Sequence, residues 1–256
     1  MGTTSLRQHI RAINACNQRG GRMLSLVDLV DAETMNLEMA GYLAAVMRSG
    51  ASLLVGANPG GAGKTAVMCA LLNFLPDTTR LRAIESRAVL TEGLRDNNFG
   101  ETCYLAHEIS PATYYFAYIW GQDVQKFFRL AGRGHLVASN LHADTLDEAK
   151  DQLCQENGVP FAHLDEITLK VFIGTERRGG WSMRRWLRRV YESDGSGSRL
   201  IWEGRAPGAF RRVQAESRIV SPSEELAYTD FLEDLGREDV RRIEDVRRTV
   251  LERSPS

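Results

Sequence analysis

The ten residues Gly56-Ala57-Asn58-Pro59-Gly60-Gly61-Ala62-Gly63-Lys64-Thr65 constrain this chain more than any other stretch. An apolar run, Leu53-Leu54-Val55, leads into them, and the segment from Ala66 to Leu75 follows with helical composition. Strand, glycine-rich loop and helix in that order form a cradle for phosphate groups. Glycines let successive backbone N–H groups turn inward on a phosphate, and the helix N-terminus adds a favourable dipole. The candidate phosphate-binding residues are therefore Asn58, Pro59, Gly60, Gly61, Ala62, Gly63, Lys64, Thr65 and Ala66. Lys64 stands where it would reach the β- and γ-phosphates, and the Thr65 hydroxyl where it would ligate Mg²⁺. The G-x-x-x-x-G-K-[ST] pattern puts glycine where this chain has Asn58, a residue that tolerates left-handed backbone better than most.

At 256 residues and 43% hydrophobic content, the chain suits one large α/β domain with a small appendage. A net charge of −1 gives no global attraction to nucleic acid or to anionic membranes. All but four of the 32 basic residues are Arg, a skew that carries no functional message by itself. Cys16, Cys69, Cys103 and Cys154 form no C-x-x-C pair and read as reduced thiols of a cytoplasmic protein. The N-terminus lacks an apolar signal core, and the apolar stretch Met39 to Met47 is too short to span a bilayer. Any membrane association is expected to run through a partner.

Residues 1–23 are polar and Arg-bearing and read as a linker or a short leading helix. Met35, Met39, Leu43 and Met47 recur at helical spacing, and Gly50 ends a helix expected to pack beside the phosphate-loop strand. Three further apolar runs read as strands that end on polar residues. Leu81 to Ile84 ends on Glu85, Thr102 to His107 on Glu108, and Leu136 to Leu141 on His142. Pro111 is read as opening a long aromatic helical stretch to about Leu130. Thr145-Leu146-Asp147-Glu148 is a capping box that opens a helix to about Glu156, and Asp165 to Ile173 is predicted as a fifth strand. Alternating strands and helices with polar residues at strand ends indicate a mostly parallel α/β sheet flanked by helices over residues 24–180. Residues 181–256 read as a C-terminal strand pair and helical appendage. There the segments 184–191 and 200–202 flank a Gly/Ser turn, and Ser221-Pro222-Ser223-Glu224 caps a helix. A last charged helix carries Val240, Ile243, Val246 and Val250 on one side.

In a parallel sheet Glu85 and Glu108 would share the edge that carries the phosphate loop. One could hold the Mg²⁺ shell, usually through water, while the other orients or deprotonates an attacking water. Each could equally be a solvent-facing residue at a strand end. His142, on the same edge, could donate to a γ-phosphate and report its loss. His135 and His163 read as structural, and His107 stays open between the two roles. Trp181 to Arg189 is basic with interleaved aromatics, a texture of nucleic-acid surfaces. In a chain without excess positive charge it reads rather as an exposed strand whose arginines cover apolar neighbours.

These segments together resemble the type II/type IV secretion and pilus-assembly traffic ATPases, archaeal and tight-adherence branches above all. Ala83-Ile84-Glu85 resembles that family's acidic box, and Ala106-His107-Glu108-Ile109 its Walker B motif. Gly134 to Asp144 resembles its histidine box, and Leu26 to Val30 its lead-in to the phosphate loop. The resemblance implies a RecA-like P-loop NTPase core using ATP and Mg²⁺. Glu85 would be the catalytic carboxylate, Glu108 the Walker B carboxylate near the metal, and His142 the histidine-box residue. It implies a hexameric ring at the cytoplasmic face of a membrane, working on a polytopic platform protein. The alternatives are a weakly hydrolytic regulatory relative and a DNA-translocating motor. Family members carry His107 and Ser110 as Gly and Arg, and have a longer interval between the two glutamates that supplies charge-neutralising arginines. Arg87 and Arg95 are the candidates left in that interval, with Arg129 and Arg133 further on. Fewer than 30 residues precede the matching region, so the family's N-terminal domain has no counterpart in it, and whether a separate chain supplies one stays open.

Overall fold

Every residue of β1 (Leu53–Gly56) and of β3 (Thr102–Ile109) is buried, which an antiparallel sheet with one wet face would not require. Both faces of these strands must be covered by helices. A computed structural model describes residues 3–18, 20–58, 60–111, 117–178 and 182–255 and shows how. The remaining strands are β2 (Arg80–Ala83), β4 (Tyr118–Ile119), β5 (Leu136–Leu141), β6 (Leu169–Arg178), β7 (Ser182–Glu192), β8 (Arg199–Ala206) and β9 (Ala209–Arg212). Among the described residues they form one sheet in the order β2-β3-β5-β1-β6-β7-β8-β9, with β4 beside β3. Pairing is parallel from β2 to β6 and antiparallel from β6 to β9.

Alternation along β1 divides the core. Leu53 and Val55 join a layer under α1 (Thr3–Ala15), α2 (Leu26–Asp31), α3 (Leu37–Arg48), α4 (Lys64–Leu72), α9 (Pro222–Arg237) and α10 (Ile243–Arg253). Leu54 faces the other layer, under α5 (Arg87–Gly93), α6 (Gln122–Ala131), α7 (Leu146–Lys150) and α8 (Phe161–Asp165). Caps set several helix starts. Ser221 accepts from the Glu224 N–H while Glu224 accepts from the Ser221 N–H, the predicted box in full. Ser25 and Asp28 make a second such box that the sequence reading left unmarked.

Several boundaries differ from expectation. The segment from Asp165 does not begin a strand: residues 161–165 are helical and β6 starts at Leu169, after a turn in which the Leu169 N–H donates to the Ser52 carbonyl. The stretch expected as helix from Pro111 holds the short strand β4 before α6 begins at Gln122, and residues 112–116 lie outside the described residues. Glu108 lies within β3, which runs on to Ile109. α3 is buried on nearly all sides and packs mainly on α9. There a Cβ at Gly41 would come within 2.8 Å of the Thr229 backbone, so only glycine allows the two helices to approach so closely. The predicted division at residue 181 falls in the β6–β7 hairpin, and the sheet continues across it from Arg178↔Ser182 to Leu169↔Glu192.

Candidate phosphate-binding site

The glycine loop leaves the C-terminal end of β1, which lies between β5 and β6. Gly56 pairs with Leu141, and Leu141 pairs in turn with Ile109. That register brings Glu108 and His142 to the same edge as the loop. Gly61 and Gly63 hold φ values of 89° and 97°, a region closed to most side chains, and Gly63 caps α4 so that the helix axis starts at Lys64. The Asn58 N–H donates to Asp144 Oδ1 at 2.7 Å, so the residue in the usual glycine position is anchored from the loop after β5. Pro59 lies outside the described residues.

Lys64 is only 6% exposed. Its ammonium meets Glu108 Oε1 at 2.8 Å, the Ala57 carbonyl at 3.2 Å and His142 Nδ1 at 3.4 Å. His142 Nε2 lies 3.1 Å from the same Glu108 oxygen. Burial alone would raise the Glu108 pKa, but hydrogen bonds from His142 and Lys64 and the Lys64 charge outweigh it and hold the carboxyl at about 2. The cluster is therefore a lysine, a carboxylate and an imidazole closed on one another at the mouth of the loop.

Behind it sits a second chain of contacts. His107 is buried, and its Nδ1 accepts from the Gln18 amide at 2.7 Å. That leaves the Nε2–H to donate to Thr65 Oγ1, 3.2 Å away. Burial lowers the His107 pKa; the Glu108 charge opposes it and the Lys64 charge adds to it, and the net lowering keeps the imidazole neutral near pH 7. Asn140 also donates to Thr65 Oγ1, at 3.4 Å, and to the His107 carbonyl at 2.8 Å. Among the described residues no group of three His, Cys, Asp or Glu side chains could hold a metal alone. Thr65 and Glu108 instead fit an Mg²⁺ ion that takes its remaining ligands from phosphate and water. To ligate it, the Thr65 oxygen has to give up one of the two hydrogen bonds it accepts.

A cleft of about 760 Å³ opens beside the loop. Its apolar wall includes Met23, Leu24, Leu29 and Ile173, and residues 16–18 from the end of α1 close one side. Glu85 is not part of it: the side chain is exposed at the end of β2, the outermost strand. Arg87, Arg95, Arg129 and Arg133 are exposed as well and do not line the cleft; Arg87 pairs with Asp123 at 2.8 Å. Thus the structure gathers Lys64, Thr65, Glu108 and His142 and leaves Glu85 apart. Gln18, Asn140 and Asp144 belong to the site without having been singled out. Asn140 and Asp144 had a signal, since both lie in the segment that resembles a histidine box, whereas Gln18 had none.

A glycine loop at an interior strand of a mainly parallel sheet, opening onto a helix that starts with Lys-Thr, is the arrangement of the P-loop fold class. No protein-family model matches the chain, and no curated protein matches it. Solved structures do. The VirB11 ATPase from the Brucella suis type IV secretion system, in complex with sulphate, is 17% identical over 65% of this chain and 54% of its own, with a TM-score of 0.45. The Yersinia pseudotuberculosis ATPase DotB is 11% identical over 82% of this chain and 55% of its own, with a TM-score of 0.44. The Legionella pneumophila ATPase DotB is 11% identical over 84% of this chain and 64% of its own, with a TM-score of 0.40. The chain thus spans between about half and two thirds of the length of these neighbours. Among the described residues no helix is long and apolar enough to cross a membrane.

Proposed function

We propose that the protein binds ATP with Mg²⁺ at the Gly56–Thr65 loop and hydrolyses it as a motor subunit of a secretion or type IV pilus-like assembly system. The observation that carries this reading is the closed Lys64–Glu108–His142 cluster at the mouth of the loop. An entering phosphate offers the Lys64 ammonium a stronger partner and frees the Glu108 carboxylate, which stays ionised at neutral pH, to orient an attacking water. His142 loses its lysine contact in the same step and becomes a donor available to the terminal phosphate. Mg²⁺, held by Thr65 and through water by Glu108, would supply charge neutralisation on the phosphates. The motor setting, with a ring of subunits working on a membrane platform protein, rests on the motif resemblance.

One observation favours a second reading, a nucleotide-binding relative with slow turnover. Glu85, the carboxylate that the resemblance would make catalytic, stands exposed and outside the cleft. For DNA translocation there is no such support: Arg184 and Arg188 of β7 bond within the chain, and the net charge of −1 offers no global attraction to DNA. Mg²⁺-dependent ATP hydrolysis by the wild type beside Lys64→Ala, Glu108→Gln and Glu85→Gln separates the readings. The expected result is activity lost in the first two variants, by a factor of about a hundred or more, and largely kept in the third. Wild-type hydrolysis no faster than that of Lys64→Ala, with ATP binding intact, would leave only the binding module.

A further inference from the structure

None of the arginines expected to neutralise phosphate charge lines the cleft, yet an arginine does stand over the loop. Arg185, on β7, donates from Nη2 to the Gly61 carbonyl at 3.3 Å and from Nη1 to the Met183 carbonyl at 3.1 Å. Its Cδ lies 3.2 Å from where a Cβ at Gly63 would be, so the side chain rests directly on the residue that caps α4. It lines the same cleft as Lys64 and Glu108.

Charge accounting separates Arg185 from its neighbours. Of the other cations lining the cleft, Arg22 pairs with Asp28 at 2.7 Å, Arg184 with Glu33 at 3.4 Å and Lys64 with Glu108 at 2.8 Å. Among the described residues Arg185 has no carboxylate partner. Two of its five N–H groups are spent on carbonyls, which leaves three for an anion. The lysine's charge is already balanced by Glu108, so a phosphate chain entering this cleft meets Arg185 as its uncompensated cation.

The strand is also built to hold that position. Pairing between β6 and β7 shifts register between Phe172 and Ile173, so Arg188 has no residue opposite it, a bulge of the kind that re-aims side chains beside sites. Arg188 donates to the Asp144 carbonyl at 3.1 Å, and Asp144 anchors the Asn58 N–H. β7 therefore grips the phosphate loop at two points, through Asp144 at its start and Gly61 near its end.

The geometry points to Arg185 as a phosphate-binding residue supplied by the chain's own antiparallel extension. It would contact the phosphate oxygens of a nucleoside triphosphate that Lys64 holds from the opposite side. This inference rests on the nucleotide-binding reading above, and its test keeps the two apart. Titration of a fluorescent ATP analogue is compared for the wild type, Lys64→Ala, Arg185→Ala, Arg185→Lys and Arg189→Ala, with melting temperatures taken without nucleotide. Arg189 shares the strand and is not among the described residues that line the cleft, so it controls for bulk charge. The expected result is affinity about tenfold weaker or worse for Arg185→Ala, partial recovery in Arg185→Lys, no change in Arg189→Ala, and an unchanged melting temperature. Wild-type affinity in Arg185→Ala while Lys64→Ala has lost binding overturns the role of Arg185 alone. An equal loss in Arg185→Ala and Arg189→Ala overturns it too, since only the general field would then matter. Binding by Lys64→Ala as tight as wild type overturns the nucleotide-binding reading itself.

Discussion

The Thr65 oxygen receives hydrogen bonds from His107 at 3.2 Å and Asn140 at 3.4 Å, so both of its lone pairs are engaged where a metal would need one. His107 fills a position that the resembling family leaves to glycine, and Gln18 fixes its tautomer from the far side at 2.7 Å. The buried imidazole would thus compete directly with an Mg²⁺ ion for the threonine. Replacing His107 with Ala removes the competitor while leaving Thr65 and Glu108 in place. The Mg²⁺ concentration for half-maximal ATP binding or hydrolysis is expected to fall by about tenfold in His107→Ala, the lower end of the roughly 10-fold to 100-fold range that residues around metal ligands command. The price in stability is about 1 kcal/mol for the orphaned Gln18 contact. A metal titration followed by nucleotide fluorescence measures this, and an unchanged or higher Mg²⁺ requirement would show that His107 assists the metal instead.

At the level of elements, α4 links the site to both chain termini. Its first residues are Lys64 and Thr65, and beyond its last turn Arg247 of α10 donates to the carbonyls of Asn73, Leu75 and Pro76. His9 of α1 is buried against the same end, with its Nε2 unpartnered among the described residues. Burial first, and then the nearby Arg247 charge, lower the His9 pKa to about 3. Above its ordinary value of about 6.5, His9 is neutral in the folded and the unfolded chain alike. Between there and about 3 the unfolded chain takes up a proton that the folded chain refuses. Stability therefore falls as the pH drops, by up to about 1.4 kcal/mol per pH unit for this one group. His107 contributes in the same direction. A His9→Phe variant keeps the volume without the titration, so its melting temperature should fall less steeply than wild type between pH 6.5 and 5. Parallel slopes for the two proteins would exclude His9 as a source of acid sensitivity.

Across the whole molecule, what the sequence made legible and what it hid follow from range. The loop, the strand β5 and the Ser221 cap are local patterns, and each was readable from neighbours within a few residues. Glu108 and His142 converge because β3, β5 and β1 are parallel neighbours in register; the alternation indicated the parallel sheet but not its strand order. Glu85 stands apart from the cluster because strand ends share an edge without sharing a distance: β2 lies at the border of the sheet, and β3 and β5 stand between it and β1. Arg185 and Gln18 reach the site through contacts far apart in sequence, 124 residues for Arg185 to Gly61 and 89 for Gln18 to His107. No local pattern announces such pairs.

The same long-range contacts bear on the division at residue 181. β7 pairs with β6 along its full length, and Leu187, Val190, Ile201, Trp202, Leu235, Val246 and Val250 are buried in the layer that also holds Leu53 and Val55 of β1. A chain cut to residues 24–180 would expose the ten-residue edge of β6 and strip that layer of its outer helices. It is expected to lack cooperative unfolding and to bind hydrophobic dyes, while the full chain unfolds in one transition by circular dichroism and tryptophan fluorescence alike. A 24–180 fragment that melts cooperatively and still binds nucleotide would instead make the antiparallel half a true appendage. It would also free Arg185 from any share in holding phosphate, because the fragment lacks β7. If Arg185 holds phosphate, folding and phosphate binding are joined in one strand, and the truncation tests both at once.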